Sequence, residues 1–153
     1  MFLFNFPVFL FFLSFFFPPN PQLLTSNHLS QPEIPIYNDT SKLIVWQKSH
    51  ELVLNIYKIT KSFPKEELYG LTSQIRRAAV SIPSNIVEGR ARGSNKEYKR
   101  FLLISRGSLE EVKYQLLLAR DLQYVESNIY NKTVNLTDEV GRLLNGLINS
   151  LKT

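Results

Sequence analysis

The stretch from Gly70 to Lys113 constrains the fold more than any other part of this 153-residue chain. Apolar residues recur there at three- and four-residue steps, which is the pattern of helices that each bury one face. Between Arg76 and Arg106 the same stretch carries eight basic residues and only two acidic ones, Glu88 and Glu97. It therefore predicts two packed helices of a small bundle that presents positive charge to a partner.

The same periodicity elsewhere in the chain predicts four helices and an all-α fold. We expect the helices to cover about residues 43–62, 68–88, 94–124 and 128–152. Because the connections between them are short, consecutive helices should run antiparallel. The predicted architecture is an up-down-up-down four-helix bundle.

Local signals predict how the second and third helices bend, end and begin. Pro83 lies inside the second helix, where it removes one backbone hydrogen bond and should kink the rod. Gly89 is placed to end that helix in the left-handed conformation. Ser94 and Glu97 have the spacing of a capping box, which predicts the start of the third helix.

The third helix carries two apolar faces. Its main stripe includes Tyr98 and Phe101, and a second set, Ile104, Leu118 and Leu122, falls roughly 100° away around the helix. Two apolar faces must be covered twice, which is more than an isolated four-helix bundle supplies. This pattern favours oligomerisation.

Residues 1–41 are predicted to be an extension outside the core, with an apolar run in residues 1–17 and a disordered, Pro-rich linker in residues 18–41. The apolar run contains nine Phe, but no Lys or Arg precedes it and prolines replace the small-residue cleavage site of a secretory signal. Three interpretations stay open: a start codon assigned too early, a degenerate signal or membrane anchor, or a functional segment. The folded domain is predicted to span residues 42–153.

Charge is concentrated in that predicted domain. It holds all 18 basic residues and 11 of the 13 acidic ones, so its formal net charge is +7. This balance suits an anionic partner such as nucleic acid or a phospholipid surface, although a solvated, mildly basic surface explains it equally well. The chain has no Cys, which excludes disulfides and thiolate metal sites and fits a reducing cytoplasm.

The sequence contains no recognisable catalytic constellation. The two histidines, His28 and His50, stand apart from other ligands, and the Glu-x-x-His pairs of a di-iron bundle are missing. No Gly-rich nucleotide loop follows a predicted strand. Glu88, Glu110 and Glu111 could cluster, but nearby arginines offer them ion pairs. We therefore predict no enzymatic activity, no metal and no cofactor, and a surface or boundary position for His50.

The basic residues of the third helix are spaced in a way that suits a chain of phosphates. Lys99, Arg106, Lys113 and Arg120 recur every seven residues, so they form a line along the helix. Such a line gives salt-sensitive, sequence-tolerant binding, whereas pairing with neighbouring glutamates, which we expect for Arg106, is the competing interpretation. No aromatic position for stacking single-stranded bases is evident, because Tyr98 and Phe101 should be buried. The residues expected to remain available to nucleic acid are Arg76, Arg77, Arg90, Arg92, Lys96, Lys99 and Arg100.

Three segments of the chain carry a family resemblance. They are VWQKSHEL (45–52), FPKEELYGLTSQIRRAAVSIPSNIVEG (63–89) and FLLISRGSLEEVKYQL (101–116). These segments closely resemble the four-helix-bundle proteins encoded within bacterial 23S rRNA intervening sequences, often labelled S23 ribosomal proteins. The resemblance covers about residues 42–152. The chain also looks similar to the accessory variability determinant proteins of diversity-generating retroelements.

The resemblance implies a cytoplasmic four-helix bundle that assembles into a homo-oligomer, typically a homopentamer, and has no established enzymatic activity. Its retroelement relatives bind nucleic acid and a reverse transcriptase. The resemblance further implies a buried or interfacial polar network that joins the second and third helices and consists of Asn85, Glu88, Arg106, Ser108 and Glu111.

These inferences lead to one predicted function and one alternative. The prediction is a non-enzymatic, homo-oligomeric helical bundle that binds RNA or DNA without sequence specificity through a basic face. The alternative is a protein-interaction scaffold or accessory subunit, for example of a reverse transcriptase, with no direct nucleic-acid role.

Overall fold

The computed structural model describes residues 39–151, which form helices and no β-strand within that range. Short 3₁₀ helices span Asp39–Lys42 and Lys65–Leu68. The four α-helices are α1 (Ile44–Ile59), α2 (Leu71–Ala91), α3 (Asn95–Asp121) and α4 (Ser127–Ser150). The predicted all-α fold of four helices is confirmed.

The helices pack in a closed cycle. Each lies alongside two others, α1 with α2, α2 with α3, α3 with α4 and α4 with α1, and within the described range the backbones of the diagonal pairs do not approach one another closely. Residues 92–94 connect α2 to α3, and residues 122–126 connect α3 to α4. Links this short hold consecutive helices antiparallel, so the topology is up-down-up-down. The most extensive of the four contacts is that between α2 and α3.

One apolar stripe from each helix meets in the centre of the bundle. Burying each large aliphatic side chain contributes roughly 1.5–3 kcal/mol relative to leaving it in water. A smaller cluster of Phe63, Leu71, Ala119 and Val125 closes the end of the bundle where α2 begins and α3 ends. The largest fully buried side chains include Leu52, Ile56, Ile75, Ile82, Ile86, Leu102, Leu109, Leu116 and Leu144.

The predicted role of Gly89 as a helix terminator is wrong. The helix continues through Gly89 to Ala91, and Gly93, with φ of 74°, adopts the left-handed conformation instead. Gly89 is buried where α3 crosses α2, and a Cβ atom there would lie 2.5 Å from Phe101 Cβ and 3.1 Å from Tyr98 Cδ2. Gly89 therefore permits close approach of the two helices.

Ser94 stands at the start of α3, and Pro83 lies in the middle of α2. Ser94 caps α3 as predicted, because its hydroxyl accepts a hydrogen bond from Glu97 N at 3.2 Å. Pro83 lies inside α2 and is buried, and the helix is continuous on both sides of it. The Ile82 carbonyl next to Pro83 accepts a hydrogen bond from the buried Ser105 hydroxyl of α3 at 2.9 Å. This bond pins α3 to the middle of α2.

The folded part of the chain reaches back into the predicted extension. The 3₁₀ helix Asp39–Lys42 contacts α1 and α2, Thr40 is buried, and Gln47 Nε2 donates to the Ser41 carbonyl at 3.0 Å. The predictions for residues 1–38 lie outside the described residues. Among the helices that the structure describes, none has the length and apolar content to cross a bilayer.

Candidate nucleic-acid interface

The fold divides the seven predicted nucleic-acid-binding residues into two groups. Arg76 and Arg77 lie in the first half of α2, whereas the other five surround the turn from α2 to α3. At 1.5 Å rise per residue, the thirteen steps from Arg77 to Arg90 span about 20 Å. We refer to the second group as the turn cluster: Arg90, Arg92, Lys96, Lys99 and Arg100.

The turn cluster presents long, exposed cationic side chains at one end of the bundle. Lys96 is exposed, and the side chains of Arg92 and Arg100 are 52% and 71% exposed. Arg92 is paired with Glu88, and Arg100 lies 3.8 Å from Glu97. Exposed pairs of this kind contribute only about 0–1 kcal/mol, so a phosphate can displace the carboxylates.

Two members of the turn cluster are less available than predicted. Lys99 and Arg90 are only half-exposed, and both already interact with other residues. Burial raises the pKa of the Tyr98 hydroxyl, and the nearby positive charge of Arg90 partly opposes that rise. Arg90 therefore serves the contact between α2 and α3, and Arg92, Lys96 and Arg100 form the accessible part of the turn cluster.

The two arginines in the first half of α2 have different environments. Arg76 is half-buried; its Nε donates to Thr60 Oγ1 at 2.7 Å, and its guanidinium lies 4.9 Å from the centroid of the Tyr57 ring. Arg76 thus bridges α2 to α1. Arg77 is exposed and borders a groove of about 620 Å³ that we call the α2 groove. The residues that line it are Tyr57, Leu68, Tyr69, Thr72, Ser73, Arg76, Arg77, Val80 and Ser81.

The predicted polar network forms only in part. Asn85 Nδ2 donates to Ser81 Oγ at 3.0 Å, the Ser81 and Ser108 hydroxyls are 2.8 Å apart, and Ser108 Oγ donates to the Ile104 carbonyl at 3.2 Å. The Asn85 Nδ2 atom can only donate, so Ser81 Oγ accepts from it. The Ser108 hydroxyl uses its one proton for the Ile104 carbonyl, so in the bond between the two serines Ser81 donates and Ser108 accepts. Asn85 and Ser108 are therefore linked across α2 and α3 through Ser81, a residue outside the predicted network.

The other three predicted members lie elsewhere. Glu88 pairs with Arg92, the first residue after its own helix, and Arg106 Nη1 donates to Asn145 Oδ1 of α4 at 3.3 Å. Glu111 accepts from Gln115 Nε2 at 3.0 Å within α3. Hydrophobic spacing placed these residues on the correct helices, but their partners depend on rotation of each helix within the bundle.

Three of the four cations in the line along α3 contact α4, and the fourth, Lys99, belongs to the turn cluster. Lys113 Nζ lies 2.9 Å from Asp138 Oδ1, and the Arg120 guanidinium lies 4.7 Å from the centroid of the Tyr130 ring. Together with Arg106 these residues hold the contact between the two helices. These three cations therefore stabilise the bundle, and the interpretation of the whole line as a row of phosphate ligands does not fit their position.

Replacing Lys113 with Met should lower the free energy of unfolding by about 0.5–1 kcal/mol at neutral pH, because one partly exposed ion pair is lost. Partial burial lowers the pKa of Lys113, but Asp138 and Glu110 outweigh it and raise the pKa above its ordinary value of 10.5. The stabilisation is thus complete below pH 10.5 and disappears as the pH rises through the folded-state pKa. Urea unfolding of Lys113→Met at pH 7 and above pH 11 measures this loss of unfolding free energy and its dependence on pH. Lys132→Met, at an exposed position, is the control. An equal effect of the two variants at pH 7 would contradict a stabilising ion pair at Lys113.

Groups suited to metal chemistry are not assembled in the described part of the chain. Within residues 39–151, no three His, Asp or Glu side chains lie close enough together to hold an ion. His50 is half-buried and stacks in parallel on Trp46, with ring centroids 5.3 Å apart. This is the boundary position that the sequence predicted for it.

Two tyrosines of the α2 groove are exposed, which was not predicted from the sequence. Tyr98 is buried as predicted, and Phe101 is half-buried beneath the Arg92 guanidinium. However, Tyr69 is 91% exposed and Tyr57 is 43% exposed. The sequence does contain signals for this exposure. Tyr57 follows the core residue Ile56, so it lies about 100° away from the core stripe of α1, and Tyr69 falls between two helices.

The fold defines the class to which the chain belongs, the small all-α four-helix-bundle proteins. The chain belongs to the 23S rRNA-intervening sequence protein family, whose model matches residues 41–146. It is similar to a crystal structure, at 1.70 Å resolution, of a protein of unknown function from the S23 ribosomal protein family of Bacteroides thetaiotaomicron. That similarity has a TM-score of 0.65 at 27% identity and covers 70% of this chain and 96% of the other. No curated protein gave a match. The predicted family is confirmed, and the link to retroelement proteins stays a prediction.

Proposed function

We propose that this protein is a non-enzymatic, homo-oligomeric helical bundle that binds RNA or DNA without sequence specificity. The observation that carries the proposal is the turn cluster. Residues 88–100 contain five basic residues and only two acidic ones, and three of the basic side chains extend into solvent. Release of counterions from the nucleic acid would supply the binding free energy.

The geometry of the turn cluster suits phosphates better than base edges. Arg92, Lys96 and Arg100 have flexible stems and weak or no carboxylate partners, so they can follow a backbone of variable shape. Reading a base edge in a groove requires rigidly held, bidentate side chains, whereas these three are long and exposed. Binding should therefore tolerate changes of sequence.

Exposed apolar residues on α3 and directly after its end support the oligomeric part of the proposal. Ile104, Leu103 and Leu122 are each more than 40% exposed, and Tyr114 is 65% exposed. Leu118, from the same predicted second face, packs against the cluster at the end of the bundle. Covering the exposed residues with neighbouring copies would repeat the turn cluster around a symmetric assembly, and several clusters on one strand would bind more tightly than one. The resemblance favours a pentamer in the cytoplasm.

The family name is consistent with an RNA partner, since it associates these proteins with intervening sequences of 23S rRNA.

The exposed apolar residues of α3 also fit the second candidate, a protein-interaction scaffold or an accessory subunit such as that of a reverse transcriptase. In that case the turn cluster would serve protein association only.

Affinity for nucleic acid should fall steeply with salt if the proposal holds. Three phosphate contacts per protomer predict a slope of log K against log salt of about −2.7 on duplex DNA. Fluorescence anisotropy of a labelled 30-nucleotide RNA and of a DNA duplex, titrated with the full chain at 50–300 mM salt, measures the slope. Light scattering measures the oligomeric state of the same sample. Absence of binding at 50 mM salt would contradict the proposal and leave the scaffold candidate.

A further inference from the structure

The α2 groove has a different character from the turn cluster. It lies where the 3₁₀ helix Lys65–Leu68 leads into α2, and Tyr57 of α1 forms part of its wall. Leu68 and Tyr69 on its border are 52% and 91% exposed. No carboxylate lines it. It thus combines aromatic and apolar surface with the positive charge of two arginines.

The backbone that carries Tyr69 is held on both sides. Gly70 N donates to the Glu67 carbonyl at 3.0 Å, and Leu71 N donates to Glu67 Oε2 at 2.9 Å, so the Glu67 carboxylate caps the start of α2. Gln74 N then donates to the Gly70 carbonyl at 3.1 Å. The Tyr69 ring is therefore exposed on an ordered turn. Fixing the backbone in advance lowers the entropy lost when such a ring contacts a ligand.

The second tyrosine of the α2 groove already takes part in a cation–π contact. The Arg76 guanidinium lies 4.9 Å from the centroid of the Tyr57 ring and is also held by Thr60, 2.7 Å from its Nε. Arg76 is consequently fixed in the wall. Arg77, one residue on, is exposed and makes no ion pair within the described residues, which leaves its charge to a ligand.

The chemistry of this lining selects a ligand that is both planar and anionic. Every nucleobase offers a flat face to an aromatic ring, and its phosphate offers charge to Arg77. The volume of about 620 Å³ lies within the ordinary range for small-ligand sites. In a duplex the faces of the bases are covered by their neighbours, so only an unpaired nucleotide can use the ring.

We infer that the α2 groove binds unpaired nucleotides of RNA or DNA, with Tyr69 stacking on a base and Arg77 contacting a phosphate. The inference rests on the proposed function and makes it more specific. The turn cluster, about 20 Å away along α2, binds the phosphates of any strand. The α2 groove adds a preference for single strands and loops.

Tyr69→Ala separates the two contributions. Loss of one stacked base should weaken binding of a 20-nucleotide single strand by roughly 5- to 100-fold, while binding of the duplex of the same sequence stays within about twofold. Tyr69→Phe should keep the single-strand affinity, because the ring is retained. Leu54→Ala removes another exposed apolar side chain, on α1, outside the groove and outside the proposed contact between copies, and serves as the control. Photocrosslinking to a 5-iodouridine strand should label the peptide that contains Tyr69.

Other outcomes overturn the inference in distinguishable ways. If Tyr69→Ala leaves single-strand affinity unchanged, or weakens single strand and duplex alike, the groove has no role in recognising unpaired bases and the proposed function stands. If Tyr69→Ala lowers the mass of the assembly in light scattering, the groove is a contact between copies of this chain. If the unaltered protein binds neither strand nor duplex, the proposed function fails, and the inference fails with it.

Discussion

Nucleic-acid binding should weaken on the order of 100-fold at 0.1 M salt when Arg92, Lys96 and Arg100 are all changed to Glu. Each change removes one phosphate contact and adds a repulsive charge at an exposed position. The three lost contacts should also reduce the magnitude of the salt slope by about 2.7 on duplex DNA. Anisotropy titrations over a range of salt concentrations measure both quantities. The helices should remain intact, because the three side chains contribute little to the core.

A second triple variant separates position from total charge. Lys58→Glu, Lys132→Glu and Arg142→Glu make the same change in net charge at exposed sites on α1 and α4. This control should lose less than tenfold in affinity, since only the long-range field is altered. Equal losses in the two variants would show that the turn cluster has no special role and that total charge governs binding.

Gly89→Ala should lower the free energy of unfolding by about 1–3 kcal/mol, although Ala is normally the better helix residue. The new methyl carbon would lie 2.5 Å from Phe101 Cβ, an atom that cannot move without moving α3. The Gly107→Ala control on α3 meets nothing within 4 Å and should stabilise by about 0.5–1 kcal/mol. Urea denaturation of both variants measures the difference.

The signs of the two changes in unfolding free energy show whether the spacing of α2 and α3 is fixed at Gly89. If Gly89→Ala stabilises the protein as Gly107→Ala does, the distance between α2 and α3 adjusts easily and close approach at Gly89 is not required. A lower stability for Gly89→Ala alone establishes that the spacing of the two helices is fixed by this residue.

Apolar spacing was sufficient to predict the helices, since each buries one continuous stripe. Apolar spacing was less reliable at helix ends, because turn hydrogen bonds and close packing there can override the periodic pattern. The first helix ends at Ile59 rather than near Ser62, because residues 60–62 form turns with 3.3 Å hydrogen bonds from Lys61 N and Ser62 N. The second continues past Gly89, since a glycine can serve packing as well as termination.

The site was harder to predict than the fold because availability of a charge depends on its neighbours in three dimensions. Arg76 and Arg77 are adjacent in the chain, yet one bridges to α1 and the other faces solvent. Lys113 and Arg106 belong to a regular sequence pattern, yet both face α4. One hundred degrees of rotation per residue separates these environments, and the sequence does not state which helix lies on which side.

The three-residue connection between α2 and α3 has a consequence for how the chain folds. These two helices share the most extensive contact and are joined by the shortest link, so their pairing closes the smallest loop and loses the least chain entropy. We expect this hairpin to form early, with α1 and α4 docking onto it afterwards. The segment that carries the candidate binding surface would then also be the folding nucleus, and substitutions there would alter the rate of folding together with affinity.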